Sequence, residues 1–287
     1  MAKQRVKVLV DSTAGIGPNL SRRWGLVVVP LYLTFGQSSY RDGVDLQPGD
    51  FYRRLAASTT NPSSAAPSPG DFARACAEAL EAEHQSVLIV TVSAKLSGTY
   101  GSAMIAAKQF DPHRVAVLDT GQGAGALALV AERAAAAAND GGDLDEVLAA
   151  ARAASRSTAV FMALDTLQYL LRSGRISAPK AAMAEWLRVR PVVTVQGGSL
   201  QIIRKARTMR RATQTMLDLL DLCCGKAEQL LVMYGDQDAG AVKLEERLRK
   251  KYPQSEINTS PVSGVIGCNA GPGILGVAVH SATGIER

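Results

Sequence analysis

Apolar residues in the first half of the chain come in short runs that end in small polar residues, each followed by helical spacing of further apolar positions. "VKVLV" (6–10) runs into Asp11-Ser12-Thr13, "SVLIVTV" (86–92) into Ser93, and "RVAVL" (114–118) into Asp119-Thr120. Continuous apolar runs of this length, bounded by turn residues, predict buried strands, and their alternation with helices predicts a parallel α/β sheet. Ligands of such sheets bind beyond the carboxyl ends of the strands, where all of these polar clusters fall. Between them, "STTNPSSAAPSPGD" (58–71) reads as an exposed loop. It closes on a helix start, with Ser68 as N-cap, Pro69 at the first helical position, Asp71 in the reciprocal capping place, and Phe72, Cys76, Ala79 and Leu80 along one face.

The pattern changes after the alanine-rich helices, whose alanines favour helix by propensity alone. "STAVFMAL" (157–164) predicts a strand, "DTLQYLLRSGR" (165–175) a helix ending near Gly174, and "PKAAMAEW" (179–186) another helix. "RPVVTVQGGSLQIIRKART" (190–208) gives two β-rich runs joined by Gly197-Gly198, an antiparallel hairpin signal. A helix over 208–222, a strand "QLLVMYG", a charged helix over 239–251 and a glycine-rich loop, "SGVIGCNAGPG", lead into a last strand. The fold class expected is α/β in two domains, an N-terminal domain with a parallel sheet (1–155) and a C-terminal mixed domain with antiparallel strands (156–287).

The chain has 287 residues and 47% hydrophobic content, enough for a sizeable core in each half. Its basic start followed by only Val8-Leu9-Val10 before an aspartate predicts neither a signal peptide nor a membrane span, so the expected location is the cytoplasm. Cys76, Cys223, Cys224 and Cys268 form no CxxC pair and are expected to be free thiols, with no metal site. The net charge of +6 is uneven: residues 151–211 carry +10 and the remainder −4. That field suits a carboxylate or phosphate ligand, an acidic partner, a membrane surface or nucleic acid.

Chemistry concentrates in "SAKLSGTYGSA" (93–103). With a strand before it and a helix after it, Ser97 falls at the N-cap, and Gly98 and Thr99 offer unpaired N–H groups in the first turn, a site for an anion. Glycine in a first turn is up to about 1 kcal/mol worse than alanine, which implies close approach to the backbone there. A lone turn of this kind does not choose between phosphate and carboxylate. Asp11-Ser12-Thr13 at the end of the first strand could seat a catalytic aspartate, but DST before a helix is also an ordinary N-cap, and that reading is preferred.

The combination of segments does choose. "VDST" (10–13), "YRDGVDLQPGDFY" (40–52), "PSSAAPSPGDF" (62–72), "SAKLSGTYGSA" (93–103), "DTLQYLLRSGRIS" (165–177), "RPVVTVQGGSL" (190–200), "KARTMRRA" (205–212) and "IGCNAGPGILG" (266–276), in this order, resemble the DegV family of bacterial fatty-acid-binding proteins. The resemblance implies a carrier that is not itself an enzyme, with one long-chain fatty acid between two domains and no other cofactor. Its carboxylate is presented to a separate fatty acid kinase, which makes the acyl phosphate for phospholipid synthesis. By the same resemblance the carboxyl group is held by Ser97, with Gly98 beside it, and by a hydroxyl residue in the loop before the PSPGDF helix, here Ser64. Arg175 of "SGRIS", Arg207 of the RT motif, and Asn269 and Gly271 of the last glycine loop are implied near the head group or at a docking face for the kinase. The family's loop usually reads GxHxGPG; Asn269 stands in place of that histidine and keeps hydrogen bonding but cannot carry a proton near neutral pH.

The physics agrees with such a ligand. About fifteen methylenes at roughly 0.8 kcal/mol each give a gross gain on the order of 12 kcal/mol before association and ordering are subtracted. A carboxylate in an apolar cavity must in turn recover its lost hydration from hydroxyls, N–H groups and arginine. The expected protein is a monomer that touches membranes at most transiently. A phosphotransferase or hydrolase using Asp11 or Ser97 with the glycines at 271–273 is the alternative, but the chain has no GxxxxGK[ST] and no GxSxG. A nucleic-acid binder is not expected, since the basic stretch holds only Phe161, Tyr169 and Trp186 as stacking candidates.

Overall fold

The computed structural model describes residues 5–82, 84–176, 189–236 and 238–285, and the helix expected over 179–186 lies outside them. The first apolar runs form Val6–Asp11 (β1), Val27–Val29 (β2), Ser86–Thr91 (β6) and Val115–Asp119 (β7), an all-parallel sheet in the order β2-β1-β6-β7. Every residue of β6 is buried, as a central parallel strand covered on both faces requires. Tyr32–Phe35 (β3), Ser38–Arg41 (β4) and Ser63–Ala65 (β5) make a second, antiparallel sheet in the order β4-β3-β5. Residues 58–71 are therefore not wholly loop: pairing with β3, and not any propensity of "SSA", makes β5 a strand.

The second half builds one mixed sheet from Thr158–Leu164 (β8), Arg190–Gln196 (β9), Ser199–Ala206 (β10), Gln229–Tyr234 (β11), Glu256–Pro261 (β12) and Ile274–His280 (β13). Its order is β10-β9-β8-β13-β11-β12, with only the β11–β12 pair parallel. The β9–β10 hairpin turns at Gly197 and Gly198, whose φ values of 58° and 80° fit the left-handed turn that the sequence signalled. Met209–Cys223 and Ala239–Lys251 are helices, as predicted. All four cysteines are free and buried.

Gly125–Asn139 (α5) shows what the alanine run is for beyond propensity. It is buried on nearly all sides and packs on β1 and β6 of the parallel sheet and on β8, β11 and β13 of the mixed one. Its glycine and many alanines leave room on both sides of the helix, and with Leu127, Leu129 and Val130 they belong to the largest apolar cluster, which runs through it from Val8 and Val10 to Met162 and Ala278. Gly264–Ala270 was expected to be loop and is a helix (α10). Its glycines permit close docking on the other half of the molecule: a Cβ on Gly264 would lie 2.7 Å from Leu33, and one on Gly267 would lie 2.8 Å from the Phe51 ring. The segment is helical because it is held there, with Ser263 capping its first turn.

Candidate functional site

The residues after β6 leave the sheet at its carboxyl end and are latched by the β9–β10 turn. Ser93 Oγ donates to the Gly198 carbonyl at 2.7 Å, and Lys95 Nζ donates to that of Gly197 at 2.9 Å. A Cβ on Gly198 would stand 2.8 Å from Ser93 Oγ, so this contact between halves needs glycine there. The helix that follows, Thr99–Ala107 (α4), has Gly98 and not Ser97 at its N-cap position. Ser97 still serves the first turn, accepting from Thr99 N–H at 3.3 Å and lying 2.8 Å from the Thr99 hydroxyl. Gly98 is exposed, with open space where a side chain would be, so the close approach inferred for it comes from no protein atom.

Ser64 sits on β5 opposite Leu33, and Asn269 on α10 reaches it from the second half. Asn269 Nδ2 donates to Ser64 Oγ at 3.2 Å and to the Val265 carbonyl at 2.7 Å. The Nδ2 protons are thereby used within the protein, and the amide fixes the position of the Ser64 hydroxyl.

Ser64, Ser97, Arg175 and Asn269 line one cavity at the junction of the two halves. Its wall is otherwise mainly aliphatic: Leu31, Val92 and Leu96 from the first half, and Met162, Leu164, Val193, Val195, Leu200, Val265 and Ile266 from the second. This slot holds about 760 Å³ of atom-free space counting its opening. Arg175 follows Gly174, whose φ is +73°, and spends one N–H on the Ser173 carbonyl at 2.8 Å. Gly98, Arg207 and Gly271 are not part of this lining. Arg207 is exposed, and Gly271 at φ +93° seats Tyr169, whose ring would lie 2.6 Å from a Cβ there.

Asp11 and Asp42 form a second polar cluster, of which the sequence reading had only the first half. Asp11 caps the short turn Ser12–Ala14, as preferred above, accepting from Thr13 N–H at 3.0 Å and Thr13 Oγ1 at 2.5 Å. Its other oxygen accepts from Val92 N–H at 2.6 Å, across the sheet. Asp42 accepts from Ser12 Oγ at 2.7 Å and from Gly264 N–H at 3.0 Å, and Ser12 Oγ in turn accepts from Leu31 N–H at 3.0 Å. Burial raises both carboxyl pKa values to about 6 against the opposing effect of these hydrogen bonds. Asp42 was legible only as a polar residue in "YRDGVD"; nothing local announced a burial partner 222 positions away. Among the described residues neither histidine nor carboxylate is hydrogen-bonded to Ser97 Oγ, and no three metal-ligating side chains gather.

A family model described as "Uncharacterised protein, DegV family" matches residues 5–282. The chain belongs to the DegV family. It is 32% identical over 280 residues to a DegV domain-containing protein of Streptomyces coelicolor, covering 97% of this chain and 99% of that one. It is 30% identical over 282 residues to a protein of Thermotoga maritima named as a fatty acid-binding protein, covering 96% and 98%. Among solved structures, a DegV family protein from Thermus thermophilus described by its fatty acid binding superposes with a TM-score of 0.88 at 31% identity, covering 96% and 99%. DegV of Bacillus subtilis, described as a fatty acid binding protein, gives 0.86 at 25%, covering 97% and 100%. The DegV fold is thus the two-domain α/β arrangement expected from the sequence, a parallel sheet first and a mixed sheet second. No helix among the described residues is long and apolar enough to cross a membrane.

Proposed function

We propose that this DegV protein binds one long-chain fatty acid in the cavity between its two domains and presents the carboxylate to a separate kinase, acting as a cytoplasmic, monomeric carrier without catalysis of its own. The observation that carries the reading is the composition of the slot: aliphatic side chains of both halves along its length and five polar ones, Thr13, Ser64, Ser97, Arg175 and Asn269, among them. An alkyl tail gains by leaving water along such a wall, while a carboxylate requires hydroxyl and guanidinium partners in place of its hydration. In this reading Ser97 and Ser64 donate to the carboxylate, Asn269 holds Ser64 in place, and Arg175 balances the charge. Gly98 supplies a backbone N–H group at the rim, and Arg207 and Gly271 belong to the face that meets the kinase. In the same reading the domain junction is put at 155/156, at the end of the helix Leu144–Arg156 that precedes β8; that the strands of the two first-half sheets come before it and those of the mixed sheet after it supports this division.

The test is extraction of protein purified from a bacterial host, followed by mass spectrometry. The expected result is near-stoichiometric long-chain fatty acid. A lipid-free extract together with no uptake of added acid overturns the proposal.

A further inference from the structure

Thr99, at the start of α4, is fully buried and does not line the slot, whereas Ser97 lines it and is half-buried. The Thr99 hydroxyl lies 2.8 Å from Ser97 Oγ and makes no other hydrogen bond among the described residues. A hydroxyl carries one proton, and a proton without an acceptor is costly in the interior. If Ser97 donated to Thr99, the Thr99 proton would be left in that state. Ser97 has the slot to turn to. Thr99 is therefore the donor of the pair.

Ser97 Oγ also accepts from the Thr99 N–H at 3.3 Å, so both of its lone pairs are taken and only its own proton remains for another partner. The backbone holds this hydroxyl in place: Ser97 N–H donates to the Ser93 carbonyl at 3.1 Å, and the buried Ser93 hydroxyl donates in turn to Gly198 of the hairpin. Ser64 is set in the same sense. Asn269 Nδ2 donates to the Val265 carbonyl, which fixes the amide as a donor to Ser64 Oγ and leaves the Ser64 proton available to the slot.

Resting on the fatty-acid reading above, we infer that Thr99 is a positioning residue: its buried hydroxyl fixes the direction of the Ser97 proton, so that the slot offers donors and favours an ionised carboxylate over an uncharged head group. A carboxylate only accepts, and gains from a proton already aimed at it. An alcohol either accepts from Ser97 or donates to it, and gains nothing from a fixed direction.

The experiment measures the affinities of delipidated parent and variants for hexadecanoate and hexadecanol and reads their ratio, in which the contribution of the tail cancels. Thr99→Val keeps the branched shape and removes the hydroxyl, and the ratio is expected to fall about fivefold. Thr99→Ser, which keeps the hydroxyl, restores the parent's ratio, a rescue that a purely steric role for Thr99 would not give. In the Ser97→Ala background, where no proton is left to direct, Thr99→Val lowers the ratio no further. Thr99→Ala serves if the valine variant does not fold. A folded Thr99→Val with the parent's ratio, a Thr99→Ser with the lowered one, or an equal fall with and without Ser97 overturns the assignment of Thr99 and leaves the fatty-acid reading standing. A parent that takes up no hexadecanoate overturns that reading and this inference with it.

Discussion

Two polar clusters in this molecule are built from the same materials and have opposite fates. Around Asp11, Ser12 and Asp42, both oxygens of each carboxylate have a donor, and the Ser12 hydroxyl both donates and accepts. Around Ser64 and Ser97, the hydroxyls keep spare hydrogen-bonding capacity and face an aliphatic slot. Both arise from hydroxyl residues near strand ends, so residue type does not separate them. What separates them is whether the protein supplies every partner: a saturated cluster is a structural joint, and an unsaturated one beside a cavity is a place for a ligand.

The largest effect that would break this distinction is on Asp11. Asp11→Ala strands the Val92 and Thr13 donors in the interior and is expected to lose about 3 kcal/mol of stability in urea unfolding. Fatty-acid affinity per folded molecule should stay within about twofold of the parent. A stable variant that no longer binds would make the Asp11 cluster part of the ligand site. Next in size, Ser97→Ala should weaken fatty-acid binding about tenfold in a competition assay, as loss of one hydroxyl donor to a carboxylate implies. Ser12→Ala should do the reverse, lowering stability by about 1–2 kcal/mol and leaving affinity alone. Equal losses of affinity would put the head group elsewhere.

The smallest effect sharpens the electrostatics of the joint. The folded-state pKa of Asp42 is raised to about 6 by burial, so the folded protein takes up its proton before the unfolded chain does. Stability from this group therefore increases as pH falls from 7 to 5, by about 1 kcal/mol, and is lost again as pH rises through 6. Compared at the two pH values by urea unfolding, Asp42→Asn should show that much less stabilisation on acidification than the parent. An unchanged difference would mean that Asp42 ionises normally despite its burial.

Much of the fold could be read from the chain because its signals are local. The apolar runs before Asp11, Ser93 and Asp119, the capping box at Ser68 and Asp71, and the Gly197-Gly198 turn each depend on a few neighbouring residues, and each took the expected form. The site was legible as a set of motif residues but not as a geometry. Ser64 became a strand residue only through β3, and α10 formed from a glycine-rich stretch only because Leu33, Asp42 and Phe51 receive it. Of the implied residues, Ser64, Ser97, Arg175 and Asn269 meet at the slot, while Gly98, Arg207 and Gly271 lie off its wall.

By itself the sequence determined the strands β1, β6 and β7 and the parallel character of their sheet, the hairpin of the mixed sheet, and the residue types available to hold an anion, because backbone geometry, periodicity and capping act over a few positions. Tertiary structure alone decided which hydroxyls would be saturated, which glycines would admit a neighbour, and where two sheets would leave a gap. Those outcomes depend on close packing between segments far apart in the chain, where shifts of a few tenths of an ångström separate a filled core from a slot.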